Sequence, residues 1–125
     1  MRRLIVLTSV LALVTAATAL AETRIYSGAN GGSFPVEPAK LKYSAAEAGY
    51  PQSFVFKQLD WKHWGDDKAT SDAKLKSCSN SSGSCFTTNA ELTAKKKQKG
   101  NTGAYYTKLK VLFGQNGVVI GLPTD

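Results

Sequence analysis

The sequence predicts an all-β domain, a small antiparallel sandwich or barrel, set behind a cleaved secretory signal and pinned by one disulfide. Three observations carry this expectation. Short apolar or alternating runs recur at roughly ten-residue spacing, with turn residues between them. No run of helical periodicity and ordinary length follows residue 21. Two cysteines lie close together in a chain whose N-terminus has the layout of an export signal.

The export signal comes first. Met1-Arg2-Arg3 is a positive n-region, Leu4 to Leu20 is apolar, and Ala19-Leu20-Ala21 places small residues where a signal peptidase reads them. Cleavage is expected after Ala21. A retained span needs about 20 predominantly apolar residues, and this stretch is shorter and diluted by Thr8, Ser9, Thr15 and Thr18. Residues 22–125 then form the working molecule, located outside the cell or in the envelope, with no membrane attachment after cleavage. Residues 22–39 read as a flexible N-terminal segment and 40–125 as a single β domain.

The strands follow in order. Lys40 to Tyr43 reads as a short strand and Ser44 to Gly49 as a turn or one helical turn. Phe54, Val55, Phe56, Leu59 and Trp61 make an aromatic and branched run that ends at the turn Trp64-Gly65-Asp66-Asp67. Ala69 to Cys78 alternates strictly: Ala69, Ser71, Ala73, Leu75 and Ser77 share one face, and Thr70, Asp72, Lys74 and Lys76 the other. Phe86, Ala90, Leu92 and Ala94 mark a weaker alternation. Lys95 to Gly103 reads as a charged connection at a hairpin tip. Tyr105, Leu109, Val111 and Phe113 share a face of the next strand, with one of Tyr105 and Tyr106 expected to point inward. Gly114-Gln115-Asn116-Gly117 is a tight turn before the closing strand Val118-Val119-Ile120.

Cys78 and Cys85 enclose the polar run Ser79-Asn80-Ser81-Ser82-Gly83-Ser84. In an oxidising compartment a structural disulfide is the simplest reading. The alternatives are a redox-active pair, which usually has C-x-x-C spacing, or half of a metal site, for which the chain has few further ligands.

Leu59-Asp60-Trp61-Lys62-His63-Trp64-Gly65, then Ala69, Cys78 and Cys85, then Tyr106-Thr107-Lys108-Leu109, resembles a family of small secreted bacterial domains common in actinobacteria. The resemblance spans roughly residues 40–113. Members usually carry Cys-Ala-x-Gly where this chain has Cys85-Phe86-Thr87. The family has no assigned activity. The resemblance implies export, a β-rich domain and a Cys78–Cys85 bridge, and it brings no catalytic residues.

Composition narrows function only coarsely. Without Arg2 and Arg3 the 16 basic residues fall to 14, against 9 acidic ones, for a net charge of +5. That balance suits an anionic cell-surface polymer, and equally serves solubility. The densest candidate site is Trp61-Lys62-His63-Trp64-Gly65-Asp66-Asp67. On a strand, Trp61 and His63 would share one face, Lys62 and Trp64 the other. An exposed tryptophan stacks on sugar or aromatic rings, whereas tryptophan at a strand end more often packs the core. His63 with Asp66 or Asp67 would make a general base, but a nucleophile beside it is missing from the pattern. The second candidate is Lys95, Lys96, Lys97 and Lys99, a concentrated positive potential that also reads as a solvated charge run. No aromatic residue interleaves the lysines, which argues against specific nucleic-acid binding. Tyr106 is a third binding candidate beside them. No catalytic, cofactor or metal motif stands out.

The leading expectation is an exported, non-catalytic β domain that binds a partner protein or polymer outside the cell. The alternatives are a secreted hydrolase inhibitor acting through the Cys78–Cys85 loop and a small secreted hydrolase built on His63.

Overall fold

The computed structural model describes residues 22–125, and the leader assigned to residues 1–21 lies outside the described residues. The chain folds as one curled, mixed seven-stranded sheet, a half-barrel whose concave side holds the core. The strands are β1 (Thr23–Ile25), β2 (Leu41–Tyr43), β3 (Gln52–Lys57), β4 (Ala69–Ser79), β5 (Cys85–Lys99), β6 (Ala104–Phe113) and β7 (Asn116–Gly121). The sheet order is β1-β6-β5-β4-β3-β2, with β7 also on β6.

The centre of the sheet is the β4–β5 hairpin. On β4 the side chains of Ala69, Ser71, Ala73, Leu75 and Ser77 are buried and those between them face solvent, as the alternation predicts. β5 pairs with β4 from Cys85↔Cys78 to Ala94↔Ala69, then continues beyond it along β6 to Lys99↔Ala104. The inner faces of β2, β3, β6 and β7 complete the core with Leu41, Tyr43, Phe54, Phe56, Leu109, Val111 and Ile120, each essentially inaccessible to water. One helical turn, α1 (Ala45–Ala48), links β2 to β3. Ser44 and Glu47 form a reciprocal capping box at its start, and Gly49 ends it in the left-handed conformation.

Three segments differ from the sequence expectation. Residues 22–39 are attached to the sheet: β1 pairs in parallel with Ala104–Tyr106, and Ser27 bridges Ser33. A three-residue strand is too short to show alternation. The segment from Leu59 to Lys68 is a loop with a single bridge, Lys62↔Thr70. The run Lys95–Lys99 lies within β5, and the hairpin tip falls after it at Gly100–Gly103.

The ends of the sheet are drawn together by Tyr50. Its hydroxyl donates to the Val119 carbonyl at 3.2 Å and accepts from the Val119 amide at 3.1 Å. This occupies the free edge of β7 with a side chain from the α1–β3 turn.

Candidate functional site: the Trp-Gly loop and the lysine face

The Trp61–Asp67 segment is held by the core. Trp61 is buried and donates its indole N–H to the Pro38 carbonyl at 2.9 Å. Trp64 is half-buried and donates to the Thr23 carbonyl at 3.0 Å. The rings of Trp61, Trp64 and Tyr106 meet edge to face in series, with centroids 5.1 Å apart at each step. Tyr106 has no accessible surface. Its hydroxyl accepts from the Gly65 amide at 3.0 Å and donates to the Asp66 carbonyl at 2.7 Å. Burial pushes its phenol above the ordinary tyrosine value. Lys97 donates to the Gly65 carbonyl at 2.5 Å. The loop turns on His63 and Gly65, both at positive φ, of 63° and 95°.

Trp61, Trp64, Tyr106 and Lys97 therefore share one cluster whose polar atoms are spent on the loop backbone. Trp64 and Tyr106 do not form an exposed aromatic platform. Tyr105 is buried too, under Phe34 on another side of β6. Two different segments cover β6 at this point, so neither tyrosine is left to solvent.

His63 projects from the loop with Asp66. Its Nδ1 is 3.7 Å from an Asp66 oxygen, and each side chain is 72% exposed. A pair so open to water is weakly coupled. No serine, threonine or cysteine hydroxyl or thiol is hydrogen-bonded to the imidazole among the described residues.

The predicted lysine run is divided by its strand. Lys97 is engaged with Gly65, Lys99 stands opposite Ala104, and Lys96 takes a left-handed φ of 58° while its carbonyl accepts from Thr107 Oγ1 at 2.6 Å. Lys95 points to the convex outer face, where it joins lysines the sequence reading did not select. Lys95 stands directly across from Lys108, and Lys110 lies two residues further along β6. At the other end of the sheet Lys57 stands across from Lys74, and Lys42 and Lys76 flank Val55 on β2 and β4. Between these two groups runs an acidic row, Asp72 across from Glu91. An open trough of about 650 Å³ is lined by that row together with Gln58, Ala73, Ala90 and Leu112.

None of Lys42, Lys57, Lys74, Lys76, Lys95, Lys108 and Lys110 has a carboxylate within 4.0 Å among the described residues. Directly opposed like charges destabilise a sheet by roughly 0.2–1 kcal/mol per pair. The sheet carries two such lysine pairs. The signal for this face was present in the alternation: Lys42, Lys74, Lys76, Lys108 and Lys110 each lie between two buried residues, and Lys57 and Lys95 follow one directly.

The Cys78–Cys85 disulfide is formed and closes the β4–β5 hairpin. The loop it encloses is exposed from Asn80 to Ser84. Among the described residues no cluster of three or more histidine, cysteine or acidic side chains is arranged to hold a metal ion.

No family model, curated protein or solved structure matches the chain.

Proposed function

We propose that the protein is an exported, non-catalytic domain that binds an anionic polymer at the cell surface on the convex face of its sheet. The observation that supports this most is the set of seven outward lysines without carboxylate partners, two pairs of them directly opposed. Side chains on adjacent strands are held about 5 Å apart. Their spacing therefore matches a chain of repeating phosphates or carboxylates better than it matches a single small anion. A polyanion laid across the face relieves the lysine–lysine repulsion, so binding and the electrostatics of the fold favour each other. The signal-like N-terminus, the disulfide and the resemblance to secreted bacterial domains support the extracellular setting.

The test is binding of the chain from residue 22 onward to inorganic polyphosphate and to polygalacturonate, followed by fluorescence at increasing salt. Saturable binding that weakens steadily as salt rises is the expected result. Affinity that ignores salt, or no binding to either polymer at low salt, would reject the lysine face.

A second reading rests on the disulfide-closed loop Ser79–Ser84, which stands exposed at one end of the molecule as an inserting loop of a hydrolase inhibitor does. Reduction of Cys78–Cys85 should abolish such inhibition of a secreted hydrolase. Inhibition unchanged by reduction removes that reading.

A further inference from the structure

At its closed end the β4–β5 hairpin outruns β6, while β3 follows β4 as far as Ser79. β6 accompanies β5 only from Glu91 to Lys99, and the β6 strand ends at Phe113. From Cys85 to Asn89, β5 has β4 on one side and no strand on the other.

The direction of the backbone groups along this stretch follows from the pairing. Ser79 N–H donates to the Ser84 carbonyl at 2.8 Å, so Ser79 and Ser84 are a hydrogen-bonded pair. Pairs alternate along an antiparallel ladder, which makes Cys78↔Cys85 a non-hydrogen-bonded pair. Its Cα separation of 4.0 Å agrees. Phe86, Thr88 and Ala90 therefore bond to β4. Cys85, Thr87 and Asn89 turn their N–H and C=O groups to the open side. The Asn89 carbonyl has one long contact, 3.5 Å from the Thr88 hydroxyl, and the three N–H groups have no partner among the described residues.

Other edges of this sheet carry at least one covering contact each. Ser27 Oγ accepts from the Lys42 amide and Gly28 N–H donates to the Lys42 carbonyl at β2. Pro35 and Ser33 cover β1 and the residues after it, Lys62 covers β4 at Thr70, and Tyr50 covers β7. Exposed edges are ordinarily blunted by lysine, proline or a bulge. Cys85-Phe86-Thr87-Thr88-Asn89 carries no charge and no proline.

The two sides of this edge differ chemically. On the inner side Phe86 is 43% exposed and packs its ring 6.1 Å from that of Phe113, so the core continues past its cover as an apolar strip. On the outer side Lys76 stands across from Thr87 and Lys74 across from Asn89. The Lys74 ammonium donates to Asn89 Oδ1 at 2.7 Å, which lays the charge over β5 toward the open side.

We infer that the β5 edge from Cys85 to Asn89 is a docking site for an extended segment of another protein, added as a strand. The segment alternates apolar residues, set against Phe86 and Phe113, with acidic residues, set beside Lys74 and Lys76. Main-chain hydrogen bonds to Thr87 and Asn89 supply affinity and the two sides supply register. This site adjoins the polymer-binding face and shares Lys74 and Lys76 with it, but its main-chain contacts lie on the edge, away from Lys95, Lys108 and Lys110.

The probe is an amide-capped peptide of alternating valine and glutamate, six residues long. It is compared with its valine–lysine counterpart and with a peptide of equal negative charge interrupted by proline. Saturable binding of the alternating acidic peptide, with slowed amide exchange at Cys85, Thr87 and Asn89, is expected. Thr87→Pro removes an outward N–H and spares the β4 ladder. It should keep the circular dichroism spectrum and weaken the peptide about tenfold or more. Phe86→Ser gives a second variant with an exposed side chain, and should weaken it in the same direction. Equal binding of the proline-interrupted peptide, or binding that survives both variants, would overturn the inference in favour of charge attraction to the face. Concentration-dependent dimerisation that protects the same amides would overturn it in favour of a second copy. Lys108→Glu lies away from this edge, so it should weaken polyphosphate and leave the peptide unaffected, which keeps failure of one site distinct from failure of the other.

Discussion

Tyr106 shows how a residue that reads as a binding candidate is consumed by the fold. Its hydroxyl holds both Gly65 and Asp66, and its ring supports Trp64. Tyr106→Phe leaves a half-buried amide and carbonyl short of a partner and should cost about 1–2 kcal/mol in urea unfolding. The phenol also sets an alkaline limit. Burial raises the Tyr106 and Tyr43 phenols above the ordinary value of 10.0, because the fold holds the neutral form. The unfolded chain ionises first as pH rises, so this stability is complete below about pH 10 and is lost as pH climbs toward the folded values. Unfolding midpoints measured through that range should fall, and less steeply in Tyr106→Phe. The sequence showed Trp61, Trp64, His63 and Tyr106 as neighbours in type, and tryptophan packing was the expected bland role. What it could not show was the partner of each polar atom. Thr23, Pro38 and Gly65 lie far along the chain from the donors they receive.

At the scale of the element, β4 was legible from end to end and β5 was not. β4 is covered on one face along its whole length, so its alternation is unbroken. β5 leaves β4 at Ala94, and its last residues are held by backbone pairing to β6 and by side chains such as Lys97. A lysine run carries no periodicity, so a strand stabilised this way looks like a loop. The left-handed Lys96 adds a local break in the ladder that Thr107 fills. The disulfide acts on the hairpin end alone. By the chain-entropy account a loop this small contributes about 2.5 kcal/mol. Reduction should therefore lower the unfolding free energy by roughly that amount and speed amide exchange near Cys78 and Cys85, while the core strands stay protected. Tyr50→Phe addresses a different edge. It should release the Val119 amide to faster exchange and cost about 1 kcal/mol.

At the scale of the molecule, the class of fold was readable and its closure was not. Turn chemistry and alternation mark strands locally, whereas β1 on β6 and Tyr50 on β7 are joined across most of the chain. The lysine face is also a property of the whole sheet, since no single strand holds more than two of its seven lysines. It yields a prediction with opposite signs. Lys108→Glu converts the Lys95↔Lys108 repulsion into attraction, so thermal stability should rise by a few tenths of a kcal/mol to about 1 kcal/mol. The same change should weaken polyphosphate binding and flatten its salt dependence. A variant that gains stability and keeps full polymer affinity would separate the lysine face from function.

The parallel pairing of Thr23–Ile25 with Ala104–Tyr106 has a consequence in time. The first strand of the described chain finds its neighbour only in the sixth. A chain emerging from its N-terminus has to complete almost its full length before β1 has an edge to join. Until then Ile25 and the indole acceptor at Thr23 remain unplaced, and the aromatic loop that depends on them cannot lock. Late ring-closing of this kind makes folding slow relative to local hairpins.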